Sequence, residues 1–198
     1  MKIKSDERGY TMMEIIAFIG FLAVLGGGVF SMIKNATNQM KTQQSVAQVQ
    51  RILKNARAVF ASDQTRPSAE TAQMTPASLL KLGVYDQTDA NDEKAFTPYG
   101  TEMVFALCKP GDASPCDGTS PYPYFTLTYK AIPPRICIDL LAGDWGSDPS
   151  SGLKQIQANS TVFTWEGKSP AKPLLPSMTD SIAVCSPSEN TIIWSYYL

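Results

Sequence analysis

Gly9-Tyr10-Thr11-Met12-Met13-Glu14, followed without a break by the apolar run Ile15 to Ile33, is the stretch that decides how the chain is organised. Nineteen helical residues span roughly 28 Å at 1.5 Å per residue, close to the hydrocarbon thickness of a bilayer, so the run predicts one membrane crossing. Glu14 borders that run. A carboxylate costs roughly 2.5 to 3.5 kcal/mol at the centre of a bilayer and less near its surface, so Glu14 calls for a partner. Lys2, Lys4 and Arg8 precede the run and place this end in the cytoplasm, with the remainder facing outward. A permanent signal anchor, or a secretory signal peptide cut near Val29-Phe30-Ser31, also accounts for an apolar run, but neither requires a glycine and a glutamate at this spacing.

Composition narrows the function classes. The 198 residues hold one anchor helix and one globular domain large enough for a core of its own. A net charge of -1 speaks against a nucleic-acid partner, which a strongly basic face would serve. There is no histidine, the commonest general base and metal ligand, and no C-x-x-C pair to support a structural zinc site. No catalytic residue, metal or cofactor is therefore assigned. Asp144 and Asp148 lie in a Gly/Ser-rich loop without a partner motif for acid/base work. The acidic stretch Asp86 to Glu93 lacks the spacing of a calcium loop and reads as a solvated turn.

Beyond the apolar run, Val46, Val49, Ile52, Leu53, Ala56, Val59 and Phe60 recur at three and four residues, with Lys41, Gln44, Gln48, Lys54 and Arg57 between them. No proline interrupts before Pro67, which predicts one helix from about Tyr10 to Ser62. A polar connection, Asp63 to Thr75, leads to a short helix capped by Thr75, with Pro76 in its first turn and Gly83 beyond its end. Thr101 to Leu107 and Tyr122 to Lys130 read as paired antiparallel strands, and Pro133-Pro134 opens a short helix over 135–141. Ser160 to Glu166 and Ser181 to Cys185 are further strand candidates, and Thr191 to Leu198 a buried last strand with Ile192, Trp194, Tyr196 and Leu198 on one face. Asp144 to Gly152 and Gly167 to Ser177 read as exposed loops. The expected class is α+β, a long N-terminal helix packed on a mainly antiparallel sheet.

The opening residues resemble the processing signal of type IV pilins, and the resemblance is strongest over Gly9 to about Phe60. It implies a ladle-shaped fold: a leader over 1–9, a membrane and fibre-core helix over 10–33, the amphipathic half of that helix over 34–62, and a globular head over 63–198. It implies that a prepilin peptidase cuts after Gly9 and methylates the new amino terminus at Tyr10, and that Glu14 attracts the amino terminus of a neighbouring subunit during assembly. Gly26-Gly27-Gly28, each about 1 kcal/mol worse than alanine in a helix, is read either as a close-packing site in the membrane or, by the resemblance, as a segment that stretches in the fibre. The four cysteines allow three connectivities; local pairing, Cys108 with Cys116 and Cys137 with Cys185, is the one adopted. A disulfide-bounded region over 137–185 is similar to that of the type IVb group, which includes conjugative-plasmid pilins.

The function so implied is a fibre subunit. It would wait in the bacterial inner membrane with its head in the periplasm and polymerise with itself on an assembly platform into an extracellular pilus, serving adhesion, aggregation or conjugation through a host or recipient-cell receptor. A minor pilin at the tip, a type II secretion pseudopilin and a membrane-tethered binding domain are the alternatives.

Overall fold

The computed structural model describes residues 12–60, 74–108, 124–146, 151–165, 172–174 and 176–198; the side chains of 23–35 and 108 lie outside the description. The chain divides into two compact units after Met40. Helix α1 (Met12–Phe60) contributes the described part of the first unit and opens the second. Its first turn carries Glu14 and its last turn Arg57, charges that suit the two ends of a helix dipole.

In the second unit, the head, the predicted apolar face of α1 is buried: Val49, Ile52, Ala56 and Phe60 are at most 1% exposed. One side chain assigned to the polar face is corrected. Gln48 is 6% exposed, because position 48 shares the inward face with 45, 49 and 52 and the head supplies partners for its amide.

Helix α2 (Pro76–Lys81) forms as predicted, with Thr75 Oγ1 accepting from Ser78 N at 3.2 Å and proline in the first turn. The chain leaves it through Gly83 at φ +74°, a left-handed conformation that glycine adopts without strain. Leu79 is the side chain α2 buries in the core.

The sheet has seven strands in the order β1-β2-β3-β7-β4-β5-β6. These are β1 (Ala95–Phe96), β2 (Glu102–Cys108), β3 (Tyr124–Ile132), β4 (Leu153–Ala158), β5 (Thr161–Thr164), β6 (Lys172–Pro173) and β7 (Asn190–Tyr197). All neighbours are antiparallel except β5 and β6. The last strand lies in the middle, paired with β3 on one side and β4 on the other, and it buries Ile192, Trp194 and Tyr196 against the core while Ile193 faces the other way. Phe60, Phe105, Phe125 and Tyr196 stack in succession from helix to sheet, with centroids 6.1, 5.2 and 6.0 Å apart. Trp194 packs edge-on to Tyr129 at 5.1 Å and against Trp145 at 4.9 Å.

Helix α3 (Pro134–Leu141) follows β3 as predicted and buries Ile136, Cys137, Leu140 and Leu141. The strand expected over 181–185 is instead helix α4 (Met178–Val184). Ser177 accepts from Asp180 N at 3.1 Å, a helix start that five apolar-rich residues read alone conceal, and the inward positions Ser181 and Cys185 are four apart, which is a helical spacing. β4 is a strand that the pattern does not reveal, because a bulge between Leu153 and Gln155 breaks the alternation of its inward residues. Two members of the expected exposed loops are core residues. Trp145 is 5% exposed and donates Nε1 to Leu140 O at 2.6 Å, and Leu174 is 6% exposed. In the turn from β4 to β5, Asn159 has φ +52°, accepts from Thr191 N and donates to Val184 O and Asn190 Oδ1.

Arg57 ties the end of α1 to the end of β7 and to the segment that enters β4. It donates to Ser151 O at 2.6 Å and to Tyr197 O at 3.3 Å, and lies over the Tyr196 ring. Gly152 sits beneath it at φ +76°, where a Cβ would run into the guanidinium. Gly152→Ala is therefore expected to lower head stability by about 2 kcal/mol, from left-handed strain and a displaced arginine together. Urea unfolding of the full chain in detergent checks this. The loss should shrink to the strain alone in an Arg57→Ala background, and equal losses in both backgrounds would contradict the contact.

Candidate functional site

The first unit presents the candidate site. Every described side chain from Met12 to Leu22 is exposed, among them eight large apolar ones: Met12, Met13, Ile15, Ile16, Phe18, Ile19, Phe21 and Leu22. At 3.6 residues per turn these positions surround the helix, so no polar face is left to meet water. Full burial of a side chain of this kind is worth roughly 1.5 to 3 kcal/mol, so removing all eight from water is favourable by on the order of 10 kcal/mol. Glu14 is the one charged residue in this segment, and its side chain is exposed among apolar neighbours.

The backbone at Gly26, Gly27 and Gly28 is helical within α1. Gly9, Tyr10 and Cys116 lie outside the described residues, as does the side chain of Cys108 at the end of β2. The proposed Cys108–Cys116 pairing therefore lies outside them too. Cys137 and Cys185 are joined in a disulfide with Cα atoms 5.8 Å apart, tying α3 to the end of α4. Among the described residues no helix is long and apolar enough to cross a membrane; the side chains of 23–35, which make up much of the apolar run, are not among them.

The head contains a polar cluster that the sequence reading missed. Asp89, read as part of a solvated turn, is 2% exposed. Its carboxylate accepts from Gln48 Nε2 at 2.8 Å, from the Arg51 guanidinium at 2.6 Å and from Asp86 N at 3.1 Å. Arg51 also pairs with Asp86 at 2.7 Å, Gln48 donates to Phe96 O, and the Tyr129 hydroxyl donates to Gln48 Oε1. Burial pushes the Tyr129 phenol well above its ordinary value, and the Asp89 charge raises it further, so it stays a donor. A cleft of about 480 Å³ opens beside this cluster; the Asp89 carboxylate and the Gln48 amide on its wall are engaged within the head, while Arg51 Nε is buried without a hydrogen-bond partner. The cluster is a fastening between α1 and the segment before β1. Among the described residues no group of His, Cys, Asp and Glu gathers as for a metal ion. The only signal for this cluster was an acidic residue 38 positions from a helical arginine, a separation no local pattern exposes.

A long N-terminal helix whose second half is packed on a seven-stranded, mainly antiparallel sheet defines the class: this is the fold of the type IV pilins. Among solved structures the chain is similar to the type IVb pilin of Salmonella typhi, with a TM-score of 0.54 and 16% identity over 78% of this chain and 98% of that one. TcpA, a type IV pilin from the Vibrio cholerae El Tor biotype, follows with a TM-score of 0.44 and 17% identity over 80% of this chain and 98% of that one. The first of these is the one near enough in shape to define the fold. No family model matches the sequence, and no curated protein matches it.

Proposed function

We propose that this chain is a structural subunit of a type IV pilus, of the type IVb kind, that polymerises with copies of itself through its N-terminal helix. The observation that carries the reading is the apolar segment Met12 to Leu22, exposed on all sides and interrupted only by Glu14, joined to a head of pilin fold. Such a surface needs a bilayer before assembly and neighbouring helices after it. In this reading prepilin peptidase removes 1–9 and methylates Tyr10, and the helix over 10–33 anchors the subunit in the inner membrane until an assembly platform extracts it. Glu14, costly among apolar groups when alone, finds its partner in the amino terminus of an adjacent copy and so sets the register. Gly26-Gly27-Gly28 supplies the compliant stretch of the fibre core. The role is mechanical, with adhesion, aggregation or conjugation following from what the heads meet.

The test is the intact mass and amino-terminal sequence of the protein in sheared extracellular material and in membranes. An abundant sheared species starting at methylated Tyr10 supports the reading. The same start confined to membranes favours a minor pilin or pseudopilin, and a start at Met1 or Met32 removes the pilin assignment. Glu14→Val is expected to stay in the membrane at wild-type amount while sheared fibre falls by about tenfold or more, the response to losing roughly 1.4 kcal/mol per contact. Normal piliation by this variant would contradict the role given to Glu14.

A further inference from the structure

β7 joins two parts of the sheet that no other strand connects. Taken out of the order β1-β2-β3-β7-β4-β5-β6, it leaves two three-stranded pieces, with β3 and β4 each presenting an edge of unpaired backbone groups to the gap. Phe125, Leu127 and Tyr129 of β3 and Leu153, Ile156 and Ala158 of β4 are at most 2% exposed, so the core runs across that gap. The other six strands, α3, α4 and both cysteines of the disulfide precede β7 in the chain and are made before it. α4 buries Ser181 and leaves Met178 and Ile182 exposed, and the link from its cap to β7, residues 186–189, is exposed throughout.

The gap recognises the strand that enters it. At the start of β7, Asn159 accepts from Thr191 N at 3.0 Å and donates to Asn190 Oδ1 at 2.9 Å, while Asn190 Nδ2 donates to Ile132 O at 3.2 Å. In the middle, Trp194 packs against both Tyr129 and Trp145, and Ser195 on the opposite face is 1% exposed, an enclosure that suits a small side chain. At the far end, Tyr196 donates its hydroxyl to Trp145 O at 3.2 Å, Arg57 Nε donates to Tyr197 O at 3.3 Å, and Tyr197 N donates to Gly152 O at 2.8 Å. Backbone pairing along both edges, with side chains read at both ends and in the middle, is how a sheet selects an extended peptide.

We propose that the gap between β3 and β4 is a strand-binding site, and that it takes residues 190–197 of a second copy of this chain when its own β7 has not yet seated. A second copy is the occupant because it carries the side chain that each of these contacts reads. The exchange closes on itself, since the donor's gap receives the acceptor's strand in return. Once β7 has seated, its short link gives it a far higher effective concentration than a neighbour's strand, so exchange is confined to the interval before. That copies meet in this interval rests on the reading that the chain gathers in a membrane; the site itself does not.

The site is tested on the full chain in detergent, with a protease recognition sequence replacing residues 186–189. The cut chain is unfolded in urea and refolded with a tenfold excess of a labelled synthetic peptide of residues 190–198. Competition by mass action predicts that about nine-tenths of the refolded heads carry the label, and that a peptide with Trp194→Asp labels few. Refolded heads without the peptide would overturn the site, as would equal labelling by the Trp194→Asp peptide or failure to refold where the uncut chain succeeds. Exchange between copies is tested in cells at Thr128 and Ile193, which are register partners. A chain carrying Thr128→Cys and Ile193→Cys should close a disulfide within itself, and the two single variants expressed together should give a linked dimer. Val104→Cys, one strand beyond Thr128, should give no dimer with Ile193→Cys. Gln157→Cys, the partner of Ile193 on β4, repeats the test from the other side of the gap. Internal closure without the dimer would overturn the exchange, as would a dimer formed equally by Val104→Cys. Absence of the wild-type chain from membranes would instead overturn the reading of function.

Discussion

Asp89→Ala is expected to destabilise the head by about 3 kcal/mol, near the lower end of the range for breaking a buried ion pair. The carboxylate is 2% exposed and is the shared acceptor for Gln48, Arg51 and the Asp86 amide. Its removal leaves the buried Gln48 amide without one partner, and unfulfilled buried donors cost about 1 to 3 kcal/mol each. Arg51 moderates the loss, since its side chain is 40% exposed and keeps Asp86 at 2.7 Å. Asp89→Asn keeps the shape and removes the charge, and its loss should be about half as large. Replacing Gln48, Arg51 and Asp89 together by Leu, Met and Leu should cost more than Asp89→Ala alone, because the buried Tyr129 hydroxyl and Phe96 O then lose Gln48 as well. Urea unfolding of the full chain, followed by tryptophan fluorescence in detergent, measures all three. A loss under about 1 kcal/mol for Asp89→Ala would mean that the cluster is a surface pair in effect.

Removing the disulfide with Cys137→Ala and Cys185→Ala is expected to lower stability by about 4 kcal/mol, the chain-entropy value for closing a loop of this size. The two cysteines are 48 residues apart, and the loop between them contains β4, β5 and β6. Against a typical total of about 5 to 15 kcal/mol, such a loss brings the head close to unfolding at growth temperature. The effect should be uneven. α4 is fully buried only at Ser181, with Val184 half-buried against the core, so the disulfide is a main tie, whereas β7 is hydrogen-bonded on both sides. Amides of 178–184 are therefore expected to exchange with solvent faster in the variant, while those of 190–197 change by the global amount only. Equal protection of α4 with and without the disulfide would show that packing alone holds it.

Much of the architecture was legible because the signals are local. The apolar spacing of Val49, Ile52, Ala56 and Phe60 marks a helical face within three turns, and Thr75, Pro76 and Gly83 mark both ends of α2 within nine residues. The alternation in 190–197 identified a buried strand for the same reason. The exposed apolar start of α1 was legible in its strongest form, as an uninterrupted run with one carboxylate.

What the tertiary structure decided lies at long range. Nothing local says that β7 enters between β3 and β4, since that order is set by pairings among strands far apart in the chain. Gln48 reads as polar surface until Asp89 and Tyr129, 41 and 81 residues away, are brought to it. β4 is hidden by a bulge that only its partner strand makes intelligible, and the outward apolar face of α4 follows from which side the disulfide pulls toward α3. The sequence by itself determined the elements whose hydrogen bonds and periodicity close within a few residues. Which polar groups are satisfied in the core, and which apolar ones are left outside, depends on groups that meet only once the chain has folded.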